Sequence, residues 1–171
     1  MERITVKEKD KELHYTYEAI MNYHGVGFPA GVAFVFQAMR RAFPLLADGE
    51  APERREIVVR TAFTGLGGRD ALEMVTRCLT DGRLLVDGKM PEAANAVESP
   101  GGHYYFVFTY RGRAVAVQLN PALSHEDFNC LARKNDKSAE DEAALSRMRL
   151  ELAERVLKAT PEEAYLAERL L

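Results

Sequence analysis

Residues Tyr104 to Leu119 read YYFVFTYRGRAVAVQL. Tyr104–Tyr110 and Ala114–Leu119 alternate in the manner of strands around Arg111-Gly112-Arg113. A period of two sends successive side chains to opposite faces, so Val115 and Val117 share one face and Gln118 takes the other. Aromatic and β-branched residues suit a pleated surface, and a short glycine-containing connection closes an antiparallel hairpin.

Working outward from this hairpin, Glu56–Phe63 is a further strand, rich in the β-branched residues Ile57, Val58, Val59 and Thr61. Arg83–Asp87 is a short strand between the turn signals Asp81-Gly82 and Asp87-Gly88, and Arg3–Val6 is another short strand. Helical spacing is expected over Glu12–Tyr23, Pro29–Leu46, Arg69–Leu79 and Ser124–Ala132, and in two C-terminal helices. The first C-terminal helix opens at Ser138 with Asp141 three residues on. The last opens at Thr160-Pro161-Glu162-Glu163, a capping box with proline at the first helical position, and is expected to run to Leu171. Pro29–Leu46 is apolar nearly all round before Arg40, which predicts burial against a sheet or a partner chain. Clustered antiparallel strands with helices segregated around them define an α+β class: a mixed or antiparallel sheet with packed helices. The expected organisation is an α+β core over residues 1–122 and a helical extension over 123–171, with a hinge at Lys134–Asp141.

The 171 residues suffice for a core without disulfide or metal staples. At 47% hydrophobic and 29% charged the composition is that of a globular protein. A net charge of -3 argues against nucleic acid as a partner. The longest apolar run, Val32–Phe36, is far short of a membrane span, and the charged Met1–Glu12 segment is no signal peptide. The default expectation is a cytoplasmic protein without membrane contact. The two cysteines, Cys78 and Cys130, form neither a disulfide framework nor a zinc ribbon.

Four places carry candidate chemistry. His24 is followed by Gly25 and Gly27 just before the apolar helix, where unpaired N–H groups suit anions and a histidine serves as metal ligand or acid–base; a histidine capping a tight turn is the plainer reading. Thr64-Gly65-Leu66-Gly67-Gly68 joins a strand to a helix and offers backbone amides to a phosphate. It is neither a dinucleotide fingerprint nor a P-loop, and a simple turn explains it as well. Asp70, at the start of that helix, fits compensation of the helix dipole. Cys78 is a nucleophile or ligand only with a lowered pKa, and otherwise a small buried hydrophobe. Lys89, after a turn, is able to face an anion or simply to be solvated.

Taken together, His24-Gly25-Val26-Gly27-Phe28-Pro29-Ala30 resembles the HGHxCPG entry motif of the FmdE-like family of formylmethanofuran dehydrogenase subunits. Asp70-Ala71 followed by Cys78 resembles that family's DAI-type helix and GC(T) element, and Gly88-Lys89 with the Tyr104–Leu119 hairpin resembles its GK segment and terminal strands. The similarity spans Tyr17–Pro121. It implies an α+β fold like the catalytic domain of glyceraldehyde-phosphate dehydrogenases, a homodimer, and a divalent metal such as zinc at His24 and Cys78. Val26, Phe28 and Gly67 stand where further ligands are expected. The expectation is a small pocket near His24 and Cys78, walled by Gly25, Gly27, Gly67, Gly68, Asp70 and Lys89, that takes a metal ion or small anionic ligand. The alternatives are a non-catalytic accessory or dimeric interaction protein, and an enzyme with Cys78 as nucleophile and His24 as base.

Overall fold

The computed structural model describes residues 1–171. Its elements are β1 (Ile4–Glu8), β2 (Lys11–Tyr15), α1 (Tyr17–His24), α2 (Pro29–Leu46), β3 (Val58–Thr61), α3 (Leu66–Thr76), β4 (Leu84–Val86), β5 (Glu98–Ser99), β6 (Gly102–His103), β7 (Tyr105–Tyr110), β8 (Arg113–Leu119), α4 (Glu126–Arg133), α5 (Ala139–Lys158), α6 (Pro161–Ala164) and β9 (Tyr165–Arg169). The class is α+β. One five-stranded sheet runs β4-β3-β7-β8-β9, with β3 and β4 parallel and every other pair antiparallel.

The hairpin read from sequence is the centre of that sheet. Its register pairs Tyr110 with Arg113 across a two-residue turn, and Arg111 and Gly112 both have positive φ. Two positive φ values give a turn whose twist matches the flanking strands. Phe106, Phe108, Val115 and Val117 point into the main core, which lies between the sheet and α2. Val107 and Ala116 face the other side, against Ala62, Met90 and Ala93.

Helix α2 crosses this core and is buried on almost every side before Arg40. Its apolar surround is met by this chain's own elements: the sheet on one side, with α1, α3 and α5 on the others. No partner chain is needed to explain it. The buried Gln37 amide donates to Val156 O (2.9 Å) and Ala159 O (2.7 Å), which satisfies carbonyls at the end of α5 that have no helical partner. The Tyr165 hydroxyl donates to Phe34 O at 2.9 Å.

Two segments differ from the sequence reading. Residues Lys11–Tyr15 pair antiparallel with β1 and are not the first turn of a helix, which starts only at Tyr17. The Thr16 side chain caps that helix by accepting from Ala19 N–H. The capping box at Thr160 is present, yet its helix ends at Ala164. The chain then continues as β9, an edge strand on β8. Leu145, Leu152, Ala153, Val156, Ala164 and Tyr165 share one core cluster with α2 and the sheet. The expected boundary at 122/123 therefore falls inside a single core, and the last strand is part of the main sheet rather than of a helical extension.

Candidate functional site: the meeting of two helix N-termini

The β3–α3 loop delivers the start of α3 against the start of α2. The approach depends on glycine: a Cβ at Gly67 would lie 2.6 Å from Phe28 O and 3.1 Å from Val32 N. Both helices begin without side-chain caps, at Phe28 and Gly65 respectively, and neither carries an acid in its first turn. The first N–H groups of a helix have no intrahelical acceptor. Val32 N–H and Arg69 N–H reach back to Phe28 O and Gly65 O, whereas the amides of Ala30, Gly31, Leu66, Gly67 and Gly68 find no backbone acceptor. Two sets of unpartnered donors, each at the positive end of a helix dipole, thus converge.

They converge on a cavity of about 300 Å³. Ala30, Gly31, Gly65, Leu66 and Gly67 form its amide-bearing side, and Phe28, Phe63, Tyr104 and Phe128 form most of the apolar remainder. Phe63 stacks on Tyr104 with ring centroids 5.0 Å apart, and Tyr104 meets Phe34 in a tilted contact at 4.6 Å, so this wall is braced from behind. The Tyr104 hydroxyl donates to His125 Nε2 at 2.9 Å, and His125 Nδ1–H donates to Leu123 O at 3.0 Å. Burial pushes the Tyr104 hydroxyl pKa up and the His125 pKa down. Both groups are neutral and serve as internal bracing.

Two polar side chains complete the lining. Ser99, 1% exposed at the tip of the β5–β6 ribbon, has a buried Oγ with no hydrogen-bond partner. Arg149 of α5 lies over the Phe28 ring at 5.0 Å and enters no ion pair, although sixteen such pairs are formed elsewhere in the chain. It is the only charged residue on the cavity wall. Three other hollows are larger, at about 420, 470 and 630 Å³, and in each of them cations are already engaged: Arg155 with Ala122 O and Ser124 O, Arg40 with Glu2, and Lys7 with Glu50 and Arg113 with Asp48.

His24 stands behind the cavity. Its Nδ1 is 2.8 Å from Asp70 Oδ2, and its Nε2 accepts from Phe28 N–H at 3.1 Å. Because a backbone N–H can only donate, the proton is assigned to Nδ1, which donates to the carboxylate. The ring is 6% exposed and has both nitrogens engaged. It acts as a clip that ties the end of α1 and the α3 carboxylate to the start of α2. Gly25 adopts φ 92 and ends α1, a conformation that favours glycine. A Cβ on Gly27 would meet nothing closer than His24 Nε2 at 3.9 Å, so glycine is not sterically required there.

The structure therefore brings His24, Gly25, Gly67, Gly68 and Asp70 together, and separates Cys78 and Lys89 from them. Asp70 lies near the start of α3, whereas Cys78 follows its far end, beyond a helical rise of about 9 Å from Asp70 to Thr76. Cys78 is fully buried in the core, and burial raises its thiol pKa. A nucleophile needs an accessible thiolate, so the Cys78–His24 catalytic pair is corrected. The metal expectation fails a fit test on the same geometry. Zinc requires three or four protein ligands, His24 has no free nitrogen, Val26 is 97% exposed, and no group of three or more His, Cys, Asp or Glu side chains is placed to hold a metal. Lys89 is exposed, outside the cavity wall, on a loop where its N–H caps onto Asp87.

Sequence reasoning missed Arg149, Ser99, Phe63, Tyr104 and Phe128. Arg149 resembles any solvated helical arginine, and the aromatics resemble ordinary core; only tertiary contact distinguishes them. No protein-family model and no curated protein matches the chain. No helix is long and apolar enough to cross a membrane.

Proposed function

We propose that this protein binds a small organic anion in the cavity where α2 and α3 begin. The observation that carries the reading is the convergence of two uncapped helix N-termini, with the four unpartnered amides of Ala30, Gly31, Leu66 and Gly67, on one cavity that holds an unpaired arginine. Helix N-termini attract anions through oriented N–H groups and the helix dipole. The Ser99 hydroxyl supplies a further donor that has no partner within the protein. Binding rather than covalent catalysis is favoured because the Ser99 hydroxyl has no base beside it and the His24 ring is occupied. The reading stands on this geometry and does not need the family resemblance or a metal.

Calorimetric titration with acetate, benzoate and inorganic phosphate tests it. At least one of them is expected to bind saturably at one site per chain, with affinity lowered about tenfold or more in Arg149→Ala, since a charged hydrogen bond contributes about 1.5–3 kcal/mol. Absence of saturable binding by all three removes the proposal.

A second reading, association of two copies, is favoured by the sheet face turned away from α2, where Val58, Leu85 and Leu166 are exposed. Light scattering that returns only the 19.2 kDa monomer at high concentration rejects this reading.

A further inference from the structure

The cavity also points to the class of anion. On the premise that it is an anion site, we infer that its ligand is a small aromatic carboxylate, with the carboxylate on the helix N-termini and Arg149 and the ring against Phe63, Tyr104 and Phe128.

Size sets the first limit. At about 300 Å³ the space accommodates roughly ten water-sized groups, each taking ~30 Å³ in the liquid. Acetate or a bare phosphate leaves most of that space unfilled. The wall sets the second limit. Donors are confined to the amide side, Arg149, Thr64 and Ser99, while the rest is aromatic or small and apolar. A sugar or hydroxy acid would leave hydroxyls unpaired against that wall, which is unfavourable when they are desolvated. A flat ring instead gains offset or edge contacts with Phe63 and Tyr104, whose planes lie within 25° of each other.

Charge sets the third limit. The wall contributes one full positive charge, Arg149. Asp70 is hydrogen-bonded to the His24 ring, whose Nε2 accepts from Phe28 N–H, and pairs with Arg69 at 3.7 Å, so that pair adds little net charge and Arg149 is the one unpaired charge at the wall. A monoanion matches this balance, whereas a dianionic phosphate leaves negative charge uncompensated. Ser99 belongs to the same wall, and its Oγ, shielded from solvent, has no partner in the protein.

The experiment compares benzoate, acetate, phenyl phosphate and inorganic phosphate by calorimetry on the intact chain, and repeats benzoate and acetate on Phe128→Leu. Benzoate is expected to bind at least tenfold more tightly than acetate and than either phosphate. Phe128→Leu is expected to weaken benzoate several-fold while leaving acetate unchanged, and a single cooperative unfolding transition of the variant guards against misfolding. Inorganic phosphate or phenyl phosphate binding as tightly as benzoate overturns the aromatic-carboxylate assignment and leaves the anion site standing. Equal affinity for acetate and benzoate overturns it as well. No binding by any of the four overturns the anion site itself.

Discussion

Gly67→Ala sets two opposing effects against each other at the contact between α2 and α3. Alanine inside a helix is favoured over glycine by about 1 kcal/mol, so propensity alone predicts a more stable protein. The new Cβ, however, would stand 2.6 Å from Phe28 O and 3.1 Å from Val32 N, both backbone atoms that no rotamer change can move. A carbon–oxygen contact relaxes near ~3.3 Å, so the two helix ends must part by roughly 0.7 Å. Overpacking of this kind costs about 1–3 kcal/mol. The net expectation is a loss of about 1 kcal/mol, or a Tm lower by roughly 3 °C for a chain of this size. The effect on binding is larger. An amide–anion contact of ~2.9 Å stretched by the same amount is no longer a hydrogen bond. Loss of one such charged bond, about 1.5–3 kcal/mol, weakens anion affinity roughly ten- to hundredfold. Thermal denaturation and calorimetric titration read the two quantities. Gly27→Ala, whose Cβ meets nothing within 3.9 Å, is the control and should change stability by less than ~0.5 kcal/mol. A Gly67→Ala protein that is more stable than the parent and binds anions equally well would refute the packing of the two N-termini.

Three further expectations follow from the same geometry. His24→Ala removes the bond to Asp70 and the acceptor of Phe28 N–H, at a cost of about 2 kcal/mol, so urea or thermal unfolding should show a Tm lower by ~4–8 °C; an unchanged Tm means that the clip is not formed. Thiol titration of the native protein should find Cys130 reacting quickly and Cys78 only on unfolding, and two fast thiols would contradict the burial of Cys78. Burial depresses the folded-state pKa of His125 below its ordinary ~6.5, so the unfolded chain binds more protons just below that pH. The stability from this neutral, buried histidine is present above ~6.5 and declines as pH falls from there toward the folded pKa. The double variant Tyr104→Phe/His125→Phe, which removes both partners of one hydrogen bond, should flatten that part of the stability profile, and an unaltered slope argues against a neutral buried His125.

The hairpin at Tyr104–Leu119 was legible because its alternation and its Arg-Gly turn agree with the tertiary environment at every position. Helix α2 was legible for a similar reason: nothing but burial accommodates its apolar circumference. Residues Lys11–Tyr15 were not, because Leu13, Tyr17 and Ile20 happen to fall at helical spacing; the turn that makes them a strand rests on Lys9 at positive φ, which lysine does not advertise. The chain after Ala164 misled in another way. A capping box specifies where a helix starts and says nothing about how far it runs, and pairing with β8 takes over one turn later. At the site, the glycines and His24 were visible because tight junctions select them. Cys78 was a candidate by residue type, and the family resemblance alone placed it beside His24; Arg149 was hidden because its distinction is the lack of a partner, a property of the folded chain.

The most direct test is a titration of ¹⁵N-labelled protein with benzoate, followed amide by amide. Saturable shifts concentrated at Ala30, Gly31, Leu66 and Gly67, with the Arg149 side-chain N–H moving in step and all of them suppressed in Arg149→Ala, are the predicted result. Shifts absent from those amides, or confined to exposed lysines such as Lys89, would contradict the claim that the two helix N-termini form an anion site.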